Sequence, residues 1–228
     1  QDFLGRLIGD KPWVRDAERS MFACYNDNFF ATQFHVDLFQ KTFNYYRYDN
    51  DTIHVVGWPM EYMEPTLSLY KNMDKKDVIL FPHRMAPEKQ PDMFRELAES
   101  MPQYKFVFAQ DTQLTKDEYH ELLAKSKLVF SANLQETLGI SWYEGALVGT
   151  LPMVPNRLSY SEMATDEVLY PSEWTDTYEN FILNKDKVID FIEKQMTRND
   201  YKQVCDNVVE KASSFFDGKK LYKQTSSS

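Results

Sequence analysis

Cysteine is almost absent from the 228 residues: Cys24 and Cys205 are the only two. They lie far apart, so they form no local metal knuckle and no disulfide framework. Two free thiols fit a reducing, cytoplasmic compartment. Glycine (7) and proline (10) are scarce, which excludes collagen-like and low-complexity chains. No apolar run approaches the length of a membrane span. Basic residues are outnumbered, 26 against 35 acidic, for a net charge of −9. That balance opposes sequence-independent gripping of a phosphate backbone, which needs many cations. No basic–apolar–small leader is visible, and neither a P-loop nor a G-x-G-x-x-G occurs.

What is present is a folding chain, 43% hydrophobic and 15% aromatic. At this length about 70% of the extended surface is buried on folding. Pro12, Trp13, Ala17, Met21 and Phe22 predict a helix over 12–25. A short strand at 29–32 and a helical stripe at Phe34, Leu38 and Phe39 follow, then a β-branched strand over 52–58. Beyond Pro65 strands and helices alternate. Strands are expected at 77–81, 104–109, 128–131 and 151–154, with helices at 91–100, 115–126 and 139–148. Thr115 with Glu118 three positions on is a capping box. Two further helices, near 178–195 and 199–215, precede a polar tail from Thr225. Such alternation predicts an α/β fold: a Rossmann-like, doubly wound parallel sheet.

Ligands in such sheets bind at the carboxyl ends of the strands. The loop at 81–90 follows a strand and carries His83, Arg84 and Lys89; Arg grips phosphate bidentately and Lys adds a point charge. The segment at 136–146 places Gly139 at a helix start, where a diphosphate can approach free N–H groups. Glu136 precedes that helix and Glu144 lies inside it; a carboxylate accepts from paired hydroxyls of a sugar or ribose. The competing readings are a solvated charged loop and a capped surface helix with an incidental pair of acids.

Together the two loops resemble the donor half of GT-B glycosyltransferases, and in particular their large retaining family four. Glu136 and Glu144 match its two glutamates with seven residues between them, and 149–154 resembles the glycine, proline and valine that follow. The segments 82–89 and 155–163 resemble the queuosine-tRNA mannosyltransferase branch. Where that family has a glycine after its phosphate-binding lysine, this chain has Gln90. The resemblance implies that Glu144 binds the ribose and Glu136 the donor sugar. Arg84, Lys89 and the amides of Leu138 and Gly139 would stabilise the departing diphosphate. Thr137, His83 and Gln110 would be further donor contacts, the base lying near 108–111. His35 is a candidate lining residue from the amino-terminal part, although a structural role competes. Trp142 reads as a core or loop anchor, a sugar platform being the alternative; His54 and His120 read as structural.

The implied activity is sugar transfer from a nucleoside-diphosphate sugar with retention, no metal and no cofactor. The acceptor is open, a nucleic-acid base being one candidate by resemblance. Residues 1–66 are expected to be a remnant of an acceptor domain with its linker, 67–195 the donor domain, and 196–228 a helix crossing back, then a disordered tail. The start at Gln1 and the short leading stretch predict a truncated amino-terminal domain, so a missing amino-terminal half is an expected partner. Two alternatives remain: a non-catalytic nucleotide-sugar-binding module or partner-dependent subunit, and a metal-binding Asp49-Asn50-Asp51 of GT-A type.

Overall fold

The computed structural model describes residues 12–43 and 52–226. Asp49-Asn50-Asp51 lies outside the described residues.

The amino-terminal part contains α1 (Pro12–Cys24), β1 (Asn28–Phe30), α2 (Gln33–Phe43) and β2 (Ile53–Val55). β1 and β2 pair in parallel, and Phe30, Val36 and Phe39 form a small core of their own. The expected strand at 52–58 is shorter than its β-branched run because Gly57 turns the chain at φ +71°.

After α3 (Met63–Leu67) come β3 (Lys76–Phe81), α4 (Pro91–Ser100), β4 (Lys105–Phe108), α5 (Lys116–Lys125) and β5 (Ser126–Phe130). α6 (Ile140–Leu147), β6 (Leu151–Pro155), α7 (Tyr160–Met163) and β7 (Leu169–Tyr170) complete the sheet. Its order is β4-β3-β5-β6-β7, parallel throughout. The doubly wound expectation therefore holds. β7, only two residues long, carries no periodic signal and escapes the sequence.

The inner strands are buried along most of their length, as a sheet covered on both faces requires. Phe94 of α4 packs against Phe81, Phe108 and Phe130 at 5.2, 4.8 and 5.6 Å between ring centroids. Truncating such a ring costs about 3–5 kcal/mol. The Thr115–Glu118 capping box forms as expected.

Two long helices close the chain, α8 (Tyr178–Thr197) and α9 (Tyr201–Phe216). The end of α9 returns to the linker after β2. Trp58 N–H donates to Phe215 O at 2.7 Å and Met60 N–H to Phe216 O at 2.8 Å. A Cβ on Gly57 would lie 2.3 Å from Phe215 O, so only glycine fits there. After Asp217 and Gly218 a further helix, α10 (Lys219–Thr225), runs to the residue where the polar tail is expected to begin, with Thr225 Oγ1 donating to Leu221 O.

Candidate functional site

The strand order reverses direction at β3: the chain moves out to β4, then returns to β5 on the other side. The loops after β3 and β5 therefore face each other across a topological switch point, where ligands of such sheets bind. Their contact is intimate. Leu134 N–H donates to Glu88 O at 2.8 Å. Lys89, buried, donates to Glu136 Oε2 and to Gln135 O, each at 2.8 Å.

Gln90 sits at φ +56°, in the left-handed region where the resembling family has glycine. Its side-chain amide donates to Ala132 O at 2.5 Å and Thr175 O at 2.6 Å. Backbone strain of about 1–2 kcal/mol is thus offset by two hydrogen bonds that fasten the β3 loop to its neighbours.

The β5 loop ends at Gly139, φ +67°, the residue before α6. A Cβ there would meet Tyr160 at 2.7 Å and Trp142 at 2.9 Å. No side chain caps α6, so its first N–H groups keep their polarity for a ligand. Glu136 bends back to accept from Thr137 N–H at 3.0 Å. Leu138 is buried beside it.

Glu144 lies further along α6, half-buried and facing α5, with Tyr119 Oη 3.5 Å from its carboxylate. Burial pushes its carboxyl up from the ordinary value. The two glutamates thus have different partners: Glu136 meets Lys89 and Asn133, and Glu144 meets Tyr119. Arg84 is exposed at the loop rim and ion-paired with Glu88. Gln110 is exposed in the turn after β4.

His35 reaches this site from α2. It is buried, its Nδ1 2.6 Å from Thr32 Oγ1, and its ring hydrogen-bonds to the main chain of Glu136. Burial holds it down at about 4, so the imidazole is neutral at neutral pH. His83 is buried and held at about 3 by desolvation and by Lys89. Its ring bonds to the main chain of Phe130, and Nε2 is buried without a partner. Asn133 donates to Glu136 Oε2 at 3.1 Å and leaves Oδ1 equally unmatched. Both orphan atoms are acceptors, so a hydroxyl or water suits each.

Several residues of the site have no assigned role in the sequence reading. Arg157 is half-buried and donates to the main-chain oxygens of Ala132, Asn133, Ser172 and Thr175, at 2.7, 2.7, 2.9 and 3.3 Å. Ser159 Oγ donates to Thr137 O at 2.6 Å, and Asn133 donates to Tyr160 Oη at 2.9 Å. All belong to the 155–163 segment, so its resemblance was the available signal. Trp142 is the core anchor the sequence suggests: at 1% exposure, with its indole N–H donating to Leu138 O at 2.8 Å, it offers no face to a sugar, and the platform alternative falls.

No protein-family model and no curated protein matches the chain. Solved structures do. TarM superposes with a TM-score of 0.65 at 13% identity, over 98% of this chain and 48% of TarM. The pneumococcal O-GlcNAc transferase GtfA, in complex with UDP and GlcNAc, gives 0.64 at 16%, over 93% and 46%. Anabaena HepE, in complex with UDP and glucose, gives 0.58 at 14%, over 94% and 67%. The fold is that of the GT-B glycosyltransferases. At such identities the likeness concerns fold alone. The chain spans about half the length of TarM and of GtfA. No helix among the described residues is long and apolar enough to cross a membrane.

Proposed function

We propose that this chain binds a nucleoside-diphosphate sugar and serves a retaining, metal-independent glycosyl transfer of family-four type. One observation carries the reading: an uncapped helix start at Gly139 stands at the switch point, beside the Lys89–Glu136 pair. As the glycosidic bond breaks, negative charge grows on the departing diphosphate. Lys89, Arg84 and the first N–H groups of α6 stabilise that charge where it develops. They occupy the role a divalent cation would otherwise fill. Glu136 accepts from donor-sugar hydroxyls, with Thr137, His83 and the neutral His35 around them. Glu144 accepts from the ribose, and the base extends toward Gln110.

HepE and GtfA are described with UDP bound, which makes UDP the first nucleotide to test. A nucleic-acid base is one acceptor class to test. The free thiols Cys24 and Cys205 support a reducing, cytoplasmic setting.

The deciding experiment is calorimetry and thermal shift with UDP-, GDP- and ADP-sugars. Specific binding raises the melting temperature by mass action; no shift with any of them rejects the proposal. A second reading is a non-catalytic nucleotide-sugar-binding module, or a subunit that needs a partner for the acceptor site. Donor binding without transfer to a broad acceptor panel selects it.

A further inference from the structure

The segment at 155–163 does more than support the β5 loop. Arg157, Ser159 and Tyr160 each hold that loop, as described above. Between the first two stands Leu158 at φ +56°, a left-handed residue that is not glycine. Backbone strain of this kind persists only where the surroundings enforce it. The bend turns the chain into α7, and the last polar residue of the segment, Glu162, points away from the loop toward the amino-terminal part.

There Glu162 meets the start of α2. Gln33 N–H donates to Glu162 Oε2 at 3.1 Å and Phe34 N–H to Oε1 at 2.9 Å. These are the first two residues of α2, whose N–H groups have no acceptor within the helix. The first turn of α2 contains no acidic residue of its own. The nearest local hydroxyl, Thr32, is engaged with His35. One carboxylate, from 128 positions away, therefore supplies both the hydrogen bonds and the negative charge that a helix start favours. His35 is the next residue along and rests on the main chain of Glu136.

We infer that Glu162 is a positioning residue: it caps α2 from the donor side and so seats His35 on the Glu136 loop. The inference rests on the proposed function for its catalytic meaning, since the loop it serves is the proposed donor site. Glu162 itself touches neither Glu136 nor Lys89 and acts through α2.

The test is histidine NMR across a pH titration, without nucleotide, on the whole chain. The four histidines are few enough to assign, His35 by loss of its signal in His35→Gln. In the unsubstituted chain, burial holding the ring down at about 4, the His35 signal is expected to titrate there. In Glu162→Ala it is expected to move toward the ordinary value of about 6.5, as α2 lifts and water reaches the ring. Glu162→Gln, which keeps one acceptor oxygen, is expected to fall between. UDP affinity in Glu162→Ala should match the unsubstituted chain, because Lys89 and Glu144 sit on other elements. If Glu162→Ala does not fold, Gln33→Pro replaces it: proline suits the first helical position and removes one donor of the cap. An unchanged His35 titration in the folded variant overturns the inference. Because the titration needs no ligand, it decides the cap even where the unsubstituted chain binds no nucleoside diphosphate, a result that rejects only the proposed function.

Discussion

Lys89 Nζ stands 2.8 Å from Glu136 Oε2, the lysine buried and the carboxylate half-buried. The pair joins the two loops at the switch point before any ligand arrives. On the proposed function a diphosphate would compete with this internal carboxylate for its cation. Arg84 is likewise engaged, with Glu88, but in the open.

This difference separates the two cations. Arg84→Ala should leave stability within about 0.5 kcal/mol and weaken nucleoside-diphosphate binding by about 1.5–3 kcal/mol. Lys89→Ala should do both, because it strands Glu136 without its partner. Denaturant melts and calorimetry on the two variants check this; equal stability losses would contradict the burial argument.

On the proposed function the glutamates divide the donor between them. Glu144→Gln should lower affinity for the bare nucleoside diphosphate. Glu136→Gln should spare it and lower affinity for the nucleotide sugar. Calorimetry with both ligands decides, and parallel losses would refute the division.

Gly139→Ala should be severe. The substitution forces a Cβ into Tyr160 and Trp142 at a backbone angle alanine disfavours. Strain alone costs about 1–2 kcal/mol, and donor affinity should fall because the start of α6 must shift. A variant with unaltered melting and binding would show that the turn tolerates a side chain.

Acid should unfold the chain through its histidines. His35 and His83 are held at about 4 and about 3 in the fold, so the unfolded chain binds protons the native one refuses. Their contribution is complete above about pH 6.5 and is lost as pH falls toward 4, at about 1.4 kcal/mol per pH unit for each group. Glu144, raised by burial, offsets part of that slope. Urea melts from pH 7 to 4.5 should steepen as stated, and His35→Gln should flatten them.

Donor binding should survive a chelator, since Lys89, Arg84 and the start of α6 carry the charge. Calorimetry with and without EDTA measures it. Binding lost on chelation and restored by magnesium would assign the diphosphate to a cation.

Much of this was legible in the sequence because it is local. The Thr115–Glu118 box, the apolar strands and the glycine before α6 each declare themselves within a few residues. The doubly wound parallel sheet followed from strand alternation alone; the switch point needed the strand order. What escaped depends on long-range pairing. Arg157 finds its acceptors on the β5 loop and near residue 175, and Glu162 finds its own 128 positions away. No periodicity encodes such partners. Aromatic character left two readings open for Trp142, anchor or sugar platform, and burial selects the anchor. Gln90 broke a glycine pattern, yet its side chain compensates for the angle it adopts.

The pairing of residues 58 and 60 with the end of α9 also fixes the mechanics of the cleft. From Trp58 onward the linker travels with α9 as one body, fastened main chain to main chain. The pivot for any swing of the amino-terminal unit is then Gly57, the last residue free of that splice and the one whose surroundings admit no side chain. A bulkier residue at 57 would pry the splice apart, and α2 with His35 would shift while Lys89, Glu136 and Glu144 stayed where they are.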